Sequence, residues 1–291
     1  MEQSASTMPR RQLGRYLQQL RDEGNLSIKT VSEVLDGSRQ KIWRIEQGVG
    51  PVRPADVQLL CEVYQAPTEL VGRLIDLARQ TRVKGWWQAY DDIMPDWFEP
   101  YVMMEAEATT LRHYDTELIH GLLQTPDYMA EVIRTGRPEL TGEQRDRRIE
   151  LRLRRQRLLN RRGPTAPRVE FVLNEAVLRR PLADHPAMVA QLRHLLAVGE
   201  QPNVSLRVLP LWAGPHPASL AGTFSILEFS QPKRESGEPT VVYQEGPTGA
   251  LYLDRPVEVA CYQEIWAGLV AVTLDETQSR QVIASFAGEA R

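Results

Sequence analysis

Within "VSEVLDGSRQKIWRIEQG", Val31 to Gly48, the run from Ser38 onward places Arg39, Lys41 and Arg44 beside Gln40, Trp43 and Gln47. Only two aliphatic residues, Ile42 and Ile45, anchor it. Ser38 can cap a helix beginning at Arg39, and Gly48 can end it. With ~100° between successive residues, positions 39, 40, 43, 44 and 47 fall on one stripe, and Ile42, Ile45 and Glu46 lie on the other side. The isoleucines can therefore dock the helix while the polar stripe faces outward. Arg and Gln make two-pronged hydrogen bonds to guanine and adenine edges, and a helix fits the major groove of B-DNA. The stripe has the composition of a base-reading helix; a solvated charged face carrying one exposed Trp is the plainer alternative.

The flanking residues favour the first reading. Leu13, Tyr16, Leu17 and Leu20 recur at helical spacing. A second helix follows an N-cap at Ser27 with Ile28, Val31, Val34 and Leu35, and Asp36-Gly37 breaks the chain. Helix, turn and capped helix in immediate succession is helix-turn-helix spacing. After "GVGPVRP" a fourth helix carries Val57, Leu59, Leu60 and Val63, and a fifth follows Thr68, so residues 10–81 read as five short helices.

A chain of 291 residues suggests two domains. Its 42% hydrophobic and 25% charged residues fit an ordinary soluble protein, with neither a membrane-spanning apolar run nor a signal peptide, so a cytoplasmic location is expected. Cys61 and Cys261 read as buried free thiols of a reducing compartment. The net charge of -3 means that any affinity for nucleic acid must come from a local patch.

Residues 84–104, beginning "KGWWQAY", form an aromatic-rich junction whose tryptophans are expected to be packed rather than exposed. Helices are expected near Glu105–Leu118, Pro126–Arg134 and Gly142–Asn160, with Thr125 before Pro126 as N-cap and "TGEQ" from Thr141 as a capping box. Beyond them, "RVEFVL", "SLRVLPL", "GTFSILEF", "TVVYQEG" and "GALYLD" read as short strands, flanked by helices near Ala187–Val198, Pro256–Val272 and Glu276–Ala287. The fold class is thus a mainly α N-terminal five-helix domain (1–83), then an α+β C-terminal domain (105–291) with a mostly antiparallel sheet.

No cofactor, metal or catalytic residue is indicated, and no enzymatic activity is expected. The chain has no Gly-Lys pair for a P-loop, no H-E-x-x-H, no G-x-S-x-G and no Cys-His metal spacing. Glu170 and Glu175 are carboxylates of an ordinary charged loop, and the five histidines read as surface or packing residues. Two features stand out. "RDRRIELRLRRQRLLNRR" holds nine Arg between Arg145 and Arg162 against Asp146 and Glu150. These arginines read as internal pairs, as a docking surface for an acidic partner through Arg147, Arg148, Arg154 and Arg155, or as a second DNA contact. "PLWAGPHPASLAG" reads as a long connection or as a binding rim.

The stretch "LGRYLQQLRDEGNLSIKTVSEVLDGSRQKIWRIEQG" resembles the Xre/Cro-type helix-turn-helix domain of bacterial and phage repressors. The resemblance implies base contacts from Arg39, Gln40 and Arg44, and phosphate contacts from Ser27, Lys29, Ser38 and Arg53. Trp43 and Gln47 share the outward stripe, although Trp43 departs from the small or polar residue more usual there. The resemblance also implies that Arg21 and Glu46 form a structural ion pair. Further along, "GWWQAY", "EAEATTLRHYDTELIHGLLQTPDYM", "NEAVLRR", "VLPLWAGPH" and "VVYQEG" resemble the large actinobacterial family of Xre-type regulators with a C-terminal domain of unknown function. That implies a transcription regulator, frequently encoded beside a small partner protein, which makes protein–protein interaction an expectation for the C-terminal domain. His120 and Asn174 depart from the family's more usual Pro and Asp.

The expectation is a cytoplasmic, homodimeric regulator, nucleoid-associated when bound to operator double-stranded DNA, whose C-terminal domain receives a small, acidic partner protein or an effector. An antitoxin-like protein that neutralises a neighbour-encoded protein and regulates itself is the alternative, and a DNA-tethered enzyme is a third.

Overall fold

The computed structural model describes residues 8–34, 37–48, 52–81, 86–95, 97–162, 166–230 and 239–289. Asp36 of the expected turn, Leu35 and Lys84 lie outside the described residues. The chain divides into two compact units, Met1–Ala89 and Tyr90–Arg291.

The first unit holds five helices: α1 (Met8–Glu23), α2 (Ile28–Val34), α3 (Arg39–Glu46), α4 (Pro54–Val63) and α5 (Thr68–Gln80). One apolar residue or more from each helix enters a single core of Leu13, Leu17, Leu20, Val31, Ile42, Ile45, Val57, Leu60 and Leu74. Such short helices are marginal alone, so this shared burial is what holds them. Cys61 lies in the same core, and burial pushes its thiol up to about 11. Two polar ties close the unit. Arg10 donates to the Thr81 carbonyl (2.9 Å), and Thr81 accepts from the Val52 N–H (3.0 Å), joining both ends of the bundle.

The second unit is built on a six-stranded sheet ordered β3-β2-β1-β4-β5-β6. The strands are β1 (Thr110–Asp115), β2 (Arg168–Asn174), β3 (Val204–Leu209), β4 (Phe224–Glu228), β5 (Val241–Gly246) and β6 (Gly249–Leu253). Pairings β1–β2 and β2–β3 are parallel; β1–β4, β4–β5 and β5–β6 are antiparallel. The parallel pairings require crossovers, supplied by α7 (Pro126–Gly136) with α8 (Gly142–Gln156), and by α9 (Glu175–Arg179) with α10 (His185–Val198). On one sheet face, Tyr114, Val172, Phe224, Ile226 and Val242 pack with Val259, Trp266 and Leu269 of α11 (Pro256–Ala271). At the β3 edge, the Val208 N–H donates to Ser279 Oγ (2.9 Å) of α12 (Glu276–Glu289), and the Leu274 N–H donates to the Val208 carbonyl (3.0 Å). This edge therefore does not offer Val208 for pairing with another chain.

One expected helix is a strand. Residues 105–118 read as helical, but α6 (Glu99–Glu107) ends early and Thr110–Asp115 form β1, at the middle of the sheet. Both faces of β1 are covered, with Leu111, His113, Tyr114 and Asp115 all buried, so the alternation that betrays a half-buried strand is missing. Within the aromatic junction Trp87 is buried, and Trp86 and Trp97 are half-buried. Cys261, expected to be buried, is exposed on α11. Among the described residues no single helix is long and apolar enough to cross a membrane, although α11 and α12 pass that test together as a pair bent by 69°.

Candidate nucleic-acid interface

The α3 helix is set by its caps and by one tight crossing. Ser38 has extended backbone, and its hydroxyl accepts the Lys41 N–H (3.1 Å), satisfying a donor the helix cannot. Gln47 ends the helix with its N–H on the Trp43 carbonyl (2.9 Å), and Gly48 follows at φ +67°, a conformation that favours glycine. Gly14 of α1 lies against the last turn of α3. A Cβ at Gly14 would stand 2.8 Å from the Ile45 carbonyl and closer still to that of Glu46. The two backbones can approach this far only because residue 14 has no side chain.

Ile42, Ile45 and Glu46 are buried, while Arg39, Gln40, Trp43, Arg44 and Gln47 are exposed, Trp43 by 50%. The exposed stripe is thus the one the helical spacing outlines, and Trp43 does not fold into the core. Ser27 caps α2, accepting the Thr30 N–H (3.1 Å), and Lys29 in the first turn of α2 is exposed. Arg53 at the start of α4 is exposed, with no capping bond from its side chain.

Arg21 and Glu46 form a two-bonded pair (2.7 and 3.0 Å), with Arg21 also donating to the Leu26 carbonyl and Tyr64 to Glu46. The Glu46 hydrogen bond is the main influence raising the Arg21 guanidinium, so this arginine is held in the structure rather than offered outward. Sequence reading did not identify the link between Lys41 and Asp56 (3.1 Å), which ties α3 to α4. Lys41 lies off the outward stripe, and a position fifteen residues downstream gives no periodic signal.

Residues 12–74 match a model described as a helix-turn-helix domain. Residues 98–285, more than half of the chain, match one described as a domain of unknown function (DUF5753). The chain belongs to the DUF5753 family. No curated protein and no solved structure matches it. The helix-turn-helix match makes the first unit a DNA-binding domain and the protein a DNA-binding regulator.

In the DUF5753 domain the arginine-rich α8 starts from the capping box of Thr141 and Gln144. The sequence leaves Arg147, Arg148, Arg154 and Arg155 open as internal pairs, as a docking surface or as a second DNA contact, and for Arg155 and Arg147 the structure has internal pairs. Arg155 is buried and gives two bonds to Glu105 (2.8 and 2.7 Å), under the rings of Phe98 and Tyr101. Burial opposes its charge, and the Glu105 carboxylate more than offsets this, leaving the guanidinium raised. Arg147 is bonded to Asp92, and Arg154 is engaged near Tyr90. Arg148 Nε is buried without a hydrogen-bond partner among the described residues.

The sheet also holds a histidine stack. His113 and His120 lie with ring centroids 4.0 Å apart, and His113 stacks on Phe171 at 5.1 Å. His113 Nδ1 meets Ser225 Oγ at 2.8 Å. Burial, then Arg155, brings His113 down to about 3, and burial with the neighbouring His113 holds His120 well below the usual imidazole range. Asn174 caps α9, its Oδ1 accepting the Ala176 N–H (2.9 Å). Glu175 accepts the Leu211 N–H (2.9 Å), and Glu170 pairs with Arg168 (2.7 Å), so the two carboxylates serve separate structural bonds. Among the described residues no group of three or more His, Cys, Asp or Glu is arranged to hold a metal ion.

Proposed function

We propose that this chain is a dimeric, sequence-specific transcription regulator, cytoplasmic and nucleoid-associated on DNA, in which the DUF5753 domain binds a partner protein or effector rather than performing catalysis. The observation that carries the reading is the division of α3: Ile42, Ile45 and Glu46 bury one side, while Arg39, Gln40, Trp43, Arg44 and Gln47 stand exposed on the other. Arg39, Gln40 and Arg44 contact bases, Trp43 and Gln47 line the same groove, and Ser27, Lys29, Ser38 and Arg53 hold phosphates. One such unit reads a few base pairs, so specificity calls for two copies on half-sites about one helical turn apart, ~34 Å. The internal commitments of Glu105, Glu170 and Glu175 support binding over catalysis in the second unit.

The test is selection of bound duplexes from a random pool by the full chain, followed by quantitative binding of the selected site. Arg44→Ala should cost about 1–3 kcal/mol and relax preference at one position per half-site, whereas Arg53→Ala should weaken all sequences alike and reduce the salt dependence. An enriched palindrome with two-fold spacing supports the dimer. Equal affinity of the wild-type chain for selected and scrambled duplexes would remove the reading.

A further inference from the structure

The cationic charge on α8 is unevenly spent. Arg147 and Arg155 have carboxylates; Arg145, Arg148 and Arg152 have none within ion-pair distance among the described residues. At positions i, i+3 and i+7, these three lie within ~60° of one another around the helix. They border the buried side marked by Leu151 and Arg155. All three are half-buried, which distinguishes them from freely solvated surface arginines.

The surroundings are polar but short of negative charge. Arg148 Nε is shut from solvent with no acceptor among the described residues. Arg152 has one hydrogen bond, to the neutral Oε1 of buried Gln124 (3.3 Å), and Gln124 is fixed by its own bond to the Ile119 carbonyl (2.7 Å). Glu245, at the end of β5, is near enough to favour the charge on Arg152 but is bonded to the Tyr243 hydroxyl (2.9 Å). Asp92 and Glu139 act similarly on Arg148, yet Asp92 is held by Arg147. Burial, then the neighbouring Arg155, brings Arg152 down to about 10, and burial followed by Arg137 lowers Arg148. A shielded donor without an acceptor and like charges one turn apart both disfavour the unliganded arrangement.

We propose that Arg148 and Arg152, with Arg145 at the rim, form a seat for a small oxyanion, a carboxylate or a phosphate group, beside the 120–124 turn. The guanidinium fork suits either group. The Glu245 carboxylate near Arg152 disfavours a continuous polyanion such as a DNA backbone, while a single oxyanion can lie between the arginines. The seat rests on the reading of the second unit as a binding body, and its test uses no operator, so failure of the DNA reading and failure of the seat are distinguishable.

Isothermal titration of the full chain with inorganic phosphate, and separately with acetate as a single carboxylate, at fixed ionic strength tests the seat. Saturable binding of either should weaken about tenfold or more in Arg148→Gln/Arg152→Gln. The ligand-free double variant should melt at or above the wild-type temperature, because unpaired charge has been removed. Phosphate heat alone identifies a phosphate group as the ligand, and acetate heat a carboxylate. Should the double variant not fold, Arg148→Lys keeps the charge, removes the fork and should still bind several-fold more weakly. Absence of saturable heat with both probes, unchanged affinity in the variants, or a lower melting temperature of the folded ligand-free double variant overturns the seat. So does a loss, in the double variant, of affinity for a random-sequence duplex, which would assign these arginines to DNA.

Discussion

The two arginine-bearing helices α3 and α8 use the same side chain in opposite ways. On α3, apolar residues and Glu46 supply the buried side and Arg39 and Arg44 remain outside. On α8, Leu151 shares the buried side with Arg155, and Asp92 holds Arg147. The more basic sequence is therefore the less available one. Arginine count measures neither; what decides is whether the angular position of each arginine falls on the side that packs, and whether a carboxylate waits there.

The largest expected effect tests the internal half of this contrast. Glu105→Ala leaves Arg155 charged, buried and alone, which should cost about 3–5 kcal/mol in urea unfolding of the second unit. Glu105→Leu with Arg155→Met should recover most of that loss. Arg44→Ala, by contrast, should change the stability of the first unit by no more than about 0.5 kcal/mol while lowering DNA affinity. If Glu105→Ala unfolds at the wild-type urea concentration, the ion pair does not hold α8.

Gly14→Ala tests the external half by moving α3 without touching its outward residues. The added methyl would meet the Ile45 and Glu46 carbonyls, which are backbone and cannot rotate away, so the first unit should lose about 3 kcal/mol. A stability within about 0.5 kcal/mol of wild type would mean that the α1–α3 crossing is looser than described.

A third effect comes from acid. His113 is neutral when folded, with a value of about 3, whereas an unfolded histidine titrates near the usual 6.5. The unfolded chain binds more protons between these values, so this contribution to stability is present above pH ~6.5 and is lost as pH falls toward 3. The slope is up to about 1.4 kcal/mol per pH unit, and His120 acts in the same direction. His113→Asn should flatten the pH dependence of urea unfolding between pH 6.5 and 4.5. An identical slope in the variant would show that His113 takes up its proton as readily in the folded chain as in the unfolded one.

Much of the first unit was legible because its helices are amphipathic and short, with α2 and α3 capped by Ser27 and Ser38. The exposed stripe of α3 is visible in the spacing of Ile42 and Ile45, and the Ser38 cap in its place before Arg39. Less could be read in the second unit. β1 is covered on both faces and carries His113 and Asp115, so neither alternation nor composition marks it as a central strand. The partner of Arg155 lies fifty residues upstream, and that of Arg147 fifty-five, distances at which periodicity carries no information. The unspent arginines 148 and 152 could have been suspected from their shared angle on α8. Which arginines were already paired required the tertiary structure.

The smallest effect separates two roles that coincide at Ser38. Its hydroxyl caps α3, and in the proposed complex the same residue faces phosphate. Ser38→Ala removes both and should cost about 1 kcal/mol of stability along with some DNA affinity, which leaves the roles entangled. Ser38→Asp resolves them: aspartate caps a helix as well as serine and its charge favours the helix N-terminus, so stability should stay within about 0.5 kcal/mol of wild type. The same charge repels phosphate, so duplex affinity should fall more than in Ser38→Ala, most steeply at low salt. Stability retained with affinity lost places the α3 N-terminus against the DNA backbone. Affinity retained in Ser38→Asp would turn that end of α3 away from phosphate and leave Ser38 a cap alone, as Thr141 is for α8.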